Sequence, residues 1–233
     1  YRIYKITMEI LSPLCYNGME VIFLKPEFEK YMNLLLEWNE KINLTAITQP
    51  EEVKIKHFED SLTCLKSGYI KDGDKVVDVG TGAGFPGLPI KIENKDVKLT
   101  LMDSLNKRIN FLKEVSSCLN LETECIHIRA EEAGKSKLYR EQYDVSVSRA
   151  VAKLSVLVEY CLPLVKKGGF MLAMKGKDIE AELDEAKPLI KLLGGQVKEV
   201  QLHTLSDAEI THSIVVIEKV GNTPAKYPRN GKK

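Results

Sequence analysis

Val76-Val77-Asp78-Val79-Gly80-Thr81-Gly82-Ala83-Gly84-Phe85-Pro86-Gly87 carries a short apolar run, with one acid inside it, into a glycine-rich turn. The β-branched run reads as a buried strand over 75–79. The glycines beyond it tolerate φ > 0 and let the backbone approach a bound group closely. Residues 88–92 read as a helix, whose first turn leaves N–H groups unpaired. A tight turn alone does not need so many glycines alternating with small residues. Asp78, Gly80 and Gly82 are therefore candidate ligand contacts, with Asp78 suited to a cationic group such as a sulfonium or an α-ammonium. Gly82-x-Gly84-x-x-Gly87 also matches the dinucleotide fingerprint. Against that reading, Asp78 would repel a pyrophosphate, and Pro86 falls in the fingerprint's variable stretch.

Beyond residue 87, short apolar runs alternate with amphipathic stretches. Strands are expected at 98–102, 123–128, 143–148 and 170–175, with helices at 106–118 and 151–165. Lys166-Lys167-Gly168-Gly169 reads as a turn before the fifth strand. A helix at 178–193 stops at Gly194-Gly195. Two strands, 196–202 and 212–219, follow with only a short connection, so they pair antiparallel. A mostly parallel α/β sheet of seven strands that ends in an antiparallel hairpin is the Rossmann-like layout of class I S-adenosylmethionine-dependent methyltransferases.

Upstream, Pro26 suits the first turn of a helix that places Phe28, Tyr31, Met32, Leu35, Trp38 and Ile42 on one stripe. A second helical stretch is expected between Pro50 and Leu65. The chain thus divides into an N-terminal helical extension (1–70), a methyltransferase domain (71–220) and a basic tail (221–233). Met8 is a candidate natural start.

Composition excludes several classes. The 233 residues are 44% apolar and carry 34 Lys+Arg against 33 Asp+Glu, a net charge of +1. A nearly neutral chain contacts nucleic acid only through local patches. No apolar run reaches the roughly 18 residues of a membrane span, so no membrane association is expected. The five cysteines, Cys15, Cys64, Cys118, Cys125 and Cys161, include no Cys-x-x-Cys pair. Reduced thiols in a cytoplasm are expected, with neither a disulfide framework nor a metal.

Further candidates sit where strands end, because ligands of open α/β sheets bind beyond the carboxyl ends of strands. Asp103 ends the second strand. Its carboxylate suits ribose hydroxyls, or either it or Ser104 caps the following helix. Arg129-Ala130-Glu131-Glu132 follows the third strand, where it borders an adenine ring or forms a solvated loop. Arg149 closes Ser146-Val147-Ser148-Arg149-Ala150 at the end of the fourth strand and faces a substrate. Lys175 ends the fifth and suits a phosphate. Asn43 caps or turns after the first helix, or meets RNA. His57 and Glu59, two apart on a helix, point in different directions, which makes a structural role the better reading of that cluster. The tail, with Lys226, Arg229, Lys232 and Lys233 and no acid, suits an RNA backbone or is simply a solvated end.

Two absences narrow the chemistry. The sequence has no Asp/Asn-Pro-Pro-Tyr for methylating an exocyclic amine, and no Pro-Cys pair for covalent attack on a pyrimidine. An acceptor that is already nucleophilic, such as guanine N7, needs neither.

Asn43-Leu44-Thr45, His57-x-x-Asp60-Ser61, the 78–87 turn, Arg129-Ala130-Glu131, Ser148-Arg149-Ala150 and Lys226-Tyr227-Pro228-Arg229 together resemble the bacterial small-subunit rRNA (guanine-N7) methyltransferases, the glucose-inhibited division protein B family. The resemblance spans about 28–229. It implies S-adenosylmethionine as cofactor and one guanine N7 in the 530 loop of 16S rRNA as target, with naked 16S rRNA and the 30S subunit both open as the substrate. It also implies Gly80, Phe85, Ala130, Glu131 and Arg149 at cofactor positions; a cytoplasmic monomer is expected. Two other classes stay open: a nicotinamide-dependent oxidoreductase, suggested by the Gly82/Gly84/Gly87 spacing, and a ribosome-binding module without catalysis.

Overall fold

The computed structural model describes residues 25–207 and 210–229; Met8, Cys15, Lys232 and Lys233 lie outside them. Helix α1 (Pro26–Asn39) opens with proline in its first turn and Glu27 and Glu29 beside its positive end. It buries Phe28, Tyr31 and Leu35. Ile42, expected on the same stripe, falls beyond the helix end. The second helical stretch is α2 (Pro50–Val53), a π-helical segment (Lys54–Glu59) and α3 (Asp60–Lys66).

The sheet holds β1 (Lys75–Val79), β2 (Lys98–Asp103), β3 (Thr123–His127), β4 (Tyr143–Arg149), β5 (Val165–Gly176), β6 (Gly195–Thr204) and β7 (Thr211–Lys219). Their spatial order is β3-β2-β1-β4-β5-β7-β6. The first five run parallel, whereas β7 is antiparallel to both β5 and β6. Four further helices, α4 (Gly87–Glu93), α5 (Asn106–Cys118), α6 (Ala130–Ala133) and α7 (Leu154–Cys161), connect or cover the strands, and α8 (Glu180–Leu192) precedes the hairpin.

Alternation along the strands builds one core on each face. Val76, Leu99, Leu101, Val145, Val147, Leu172 and Val216 pack with α1, α3, α4 and α5. Val77, Val79, Met171, Ala173, Val215 and Ile217 pack with α7 and α8.

Two expected elements are corrected. The helix drawn over 151–165 is α7 alone, followed by a 3-10 turn at Leu162–Leu164. Its expected first residues form a loop, because Ala150 sits at φ +55° and breaks the helical path. The turn drawn at 166–169 lies inside β5. There Gly168, at φ +86°, bulges the strand, and the partner of Tyr143 is Val165 while that of Val145 is Phe170.

Candidate functional site

The strand order reverses between β1 and β4, and such switch points open a crevice at the carboxyl ends of the strands. Two cavities occupy that end. The smaller, about 160 Å³, is lined by Val79 and Gly80 from β1, Met102 and Asp103 from β2, Ile128 to Glu131 after β3, and Val151 and Tyr160. The larger, about 530 Å³, is lined by Arg149, Met174, Lys175 and Gly176 from the ends of β4 and β5, together with Ile47, Lys56, His57, Asp60, Ala150, Ile210 and His212. Residues 150–153 run between the two.

Local chemistry shapes the small cavity. Gly80 has φ +68°, and a Cβ there would stand 2.7 Å from Val151 Cγ2. Gly82 also has positive φ, +61°, but a Cβ there would meet only open space. Asp103 Oδ2 accepts the Gly82 N–H at 3.0 Å and Oδ1 accepts the Leu105 N–H at 2.9 Å. Arg108 pairs with Asp103 at 3.3 Å. Asp103 therefore ties the glycine turn to the start of α5 and also lines the cavity. The N-cap of α5 is Leu105, so neither Asp103 nor Ser104 is the capping residue. Ala130 and Glu131 line the same wall.

Asp78 does not face either cavity. It has no exposed surface, and its Oδ2 accepts from Thr81 Oγ1 at 2.7 Å and from the Gly87 N–H at 2.8 Å. Its Oδ1 has no partner among the described residues. Burial pushes this carboxyl up to about 7, against those two hydrogen bonds. The expected contact with a ligand cation is thus replaced by a role inside the turn, which Asp78 holds from beneath.

In the large cavity, Arg149 is the hub of a polar network. It donates to Asp60 Oδ2 at 2.8 Å, to the Lys56 carbonyl at 3.0 Å and to His57 Nδ1 at 3.1 Å. Its guanidinium also lies 4.9 Å above the buried Phe85 ring, which stacks on Tyr31 and His57. Phe85 lines neither cavity; it is the floor under Arg149. Burial first, and the Arg149 charge second, hold His57 down at about 4, so its ring is neutral. Thr45 Oγ1 lies 2.8 Å from its Nε2. The other oxygen of Asp60 meets His212 Nδ1 at 2.7 Å. Burial alone would raise the Asp60 carboxyl, but His212 and Arg149 outweigh it and hold it below the usual range. The same hydrogen bond raises His212.

Other expected contacts are redistributed. Lys175 lines the large cavity, but its amine is engaged by the Ala152 carbonyl and by Glu182, both at 2.7 Å. Asn43 is exposed and lines neither cavity; its neighbour Asn39 shapes that loop, accepting the N–H groups of Leu44 and Thr45. The described part of the tail is docked rather than free. Arg229 forms a bidentate pair with Glu159, Tyr227 is buried, and Arg140 donates to the carbonyls of Gly134, Thr223 and Tyr227. Lys226 lies 5.5 Å over the Tyr227 ring. The residues that sequence reading missed are His212 and Glu182, and it named Asp60 only within His57-x-x-Asp60-Ser61, without its pairing to Arg149 and His212. Each acts through a partner distant in the chain or on another element, and no local motif announces such a pairing.

Topology and the switch-point cavities define a class I S-adenosylmethionine-dependent methyltransferase fold. A branched-chain polyamine synthase from Thermus thermophilus shares it with TM-score 0.61 at 11% identity, over 88% of this chain and 67% of that one. A SAM dependent methyltransferase from Aquifex aeolicus matches with TM-score 0.53 at 18% identity, over 78% and 97%. Such identities establish the fold alone. The family follows from sequence: the model of GidB, rRNA small subunit methyltransferase G, matches residues 24–211. The ribosomal RNA small subunit methyltransferase G of Alkaliphilus metalliredigens is 56% identical over 200 residues, 85% of this chain and 84% of that protein. That of Clostridium botulinum (strain Loch Maree / Type A3) is 48% identical over 204 residues, 87% and 85%. The chain belongs to this family and is a methyltransferase.

Proposed function

We propose that the protein transfers a methyl group from S-adenosylmethionine to N7 of one guanine in the 530 loop of 16S rRNA. The observation that carries this reading is the pair of cavities at the strand ends, one lined by Gly80, Asp103, Ala130 and Glu131 and the other by Arg149. Membership of a family named for small-subunit rRNA supports the substrate class.

The smaller cavity fits the cofactor chemically. Met102, Ile128 and Val151 give it apolar walls for a purine, while the Asp103 and Glu131 carboxylates give acceptors for ribose hydroxyls and an exocyclic amine. Gly82 lines neither cavity; it stands beside the smaller one through the hydrogen bond from its N–H to Asp103, with open space where a side chain would be. Bound there, S-adenosylmethionine would supply an electrophilic methyl group.

Guanine N7 already has a lone pair and no proton to lose, so no general base is needed. The protein's work is then to orient and to exclude water. Arg149 suits orientation, because Asp60, His57, Lys56 and Phe85 fix its plane while its Nε–H and one Nη2–H have no partner among the described residues. Those donors match a guanine O6 or a phosphate oxygen. Asp103 orders the glycine turn through Gly82.

Arg149→Ala tests the assignment in a methyl-transfer assay on 30S subunits. The expected outcome is a fall in kcat at saturating RNA of roughly a hundredfold, the scale of a lost orienting contact. An unchanged kcat with weaker RNA binding would place Arg149 outside the reacting centre.

A further inference from the structure

We infer that Lys175 and Glu182 act as a latch on the strap formed by residues 150–153, and are positioning residues for methyl transfer rather than contacts to RNA. This rests on the two-cavity reading above. Ala150 lines the large cavity and Val151 the small one, so the strap is the wall across which donor and acceptor must meet.

The strap cannot hold its own shape. Ala150 sits at φ +55°, a conformation that L side chains disfavour by roughly 1–2 kcal/mol, and it persists only if the surroundings enforce it. Val151 is 37% exposed, with little of its own packing to hold it. Helical hydrogen bonding begins only at Lys153, whose carbonyl accepts the N–H groups of Val156 and Leu157.

The latch fixes where the chain must go two residues after Ala150. Lys175 Nζ donates to the Ala152 carbonyl at 2.7 Å and to Glu182 Oε1 at 2.7 Å. The same Glu182 oxygen accepts the N–H of Leu154, the first residue after the strap. The end of β5 and the first turns of α8 thus grip the C-terminal end of the strap, on either side of Lys153, and leave Ala150 and Val151 suspended between that grip and β4. Lys175 is only 12% exposed and Glu182 28%, so the pair is largely sheltered from solvent. The strap in turn keeps Val151 against the backbone of Gly80. A slackened strap would move Val151 into the cofactor cavity and shift Arg149, the residue preceding Ala150.

The two roles predict opposite behaviour for Glu182→Gln. That substitution weakens the latch but frees the lysine charge. A latch requires Lys175→Met and Glu182→Gln to lower kcat alike, about tenfold to a hundredfold. The KM for 30S subunits should stay within about twofold, the double variant should be no worse than either single one, and Lys175→Arg should recover part of the rate. An RNA contact instead requires Lys175→Met to raise KM, and Glu182→Gln to leave KM unchanged or lower it. That result overturns the latch, as does a lower melting temperature with kcat unchanged in both variants. If both variants fail to fold, Val151→Ala decides. It leaves the latch intact and trims only the wall, so kcat should fall at unchanged RNA KM, and a normal kcat overturns the proposal. Wild-type protein that methylates no RNA would instead defeat the functional reading itself.

Discussion

At Gly82 the backbone is left-handed and the missing side chain faces open space. Gly82→Val should therefore fold, at a cost of roughly 1–2 kcal/mol for the φ alone, yet lose its response to cofactor. At a hundredfold excess over Kd, S-adenosylhomocysteine should stabilise wild type by ~2.7 kcal/mol and the folded variant by almost nothing. Equal stabilisation, read by thermal unfolding, would move the pocket elsewhere. Asp78 gives a pH signature. Its folded carboxyl is raised from 3.8 to about 7, so between those values the native state holds a proton that the unfolded state has released. The stabilising contribution is complete below the unfolded pKa and is lost as pH rises through 7. Relative to Asp78→Asn, wild type should lose roughly 1.4 kcal/mol per pH unit across that window. A pH-independent difference in chemical denaturation would show that the carboxyl titrates normally. The sequence reveals Asp78 as special but assigns it to the ligand; only its burial shows that it serves the turn.

Among elements, the strands were legible because buried parallel strands leave uninterrupted apolar runs. The antiparallel hairpin was legible because its connection is too short for a crossover helix. The π-helical segment before α3 was not legible: one extra residue per turn leaves no mark in a pattern read at 3.6 periodicity. That segment carries Lys56 and His57 to Arg149, 93 and 92 residues away in sequence. The tail shows the same limit. Its basic composition suggests RNA contact, but charge counting cannot see that Arg229 meets Glu159 across 70 residues. Burial would raise the Glu159 carboxyl, but hydrogen bonds from Arg229 hold it below 4.5. Arg229→Ala should thus cost about 1 kcal/mol at neutral pH, the modest value of a partly screened pair. That loss should vanish as pH falls through the native carboxyl's range, because the pair stabilises only while Glu159 is ionised. The salt dependence of RNA binding should stay as in wild type. A slope flattened by about one unit would return Arg229 to the RNA surface.

The whole molecule places its two strand-end cavities at one end of a sheet whose two faces are sealed by separate cores. Sequence alone located the strand-end residues that line them: Gly80, Asp103, Ala130, Glu131, Arg149 and Lys175. It could not say which of these are already engaged by neighbours, since engagement depends on contacts between distant segments. Lys175 is the instance with most consequence, a cation at the right strand end whose charge turns inward. The central claim is transfer to guanine N7. The direct test is incubation with methyl-labelled S-adenosylmethionine and 30S subunits carrying an unmethylated 530 loop, followed by borohydride and aniline cleavage, which cuts RNA at 7-methylguanosine. The account predicts one labelled cleavage site, at a guanine of the 530 loop, lost in Gly82→Val and strongly reduced in Arg149→Ala. Label that resists this cleavage, or that falls on another base or outside that loop, would contradict it.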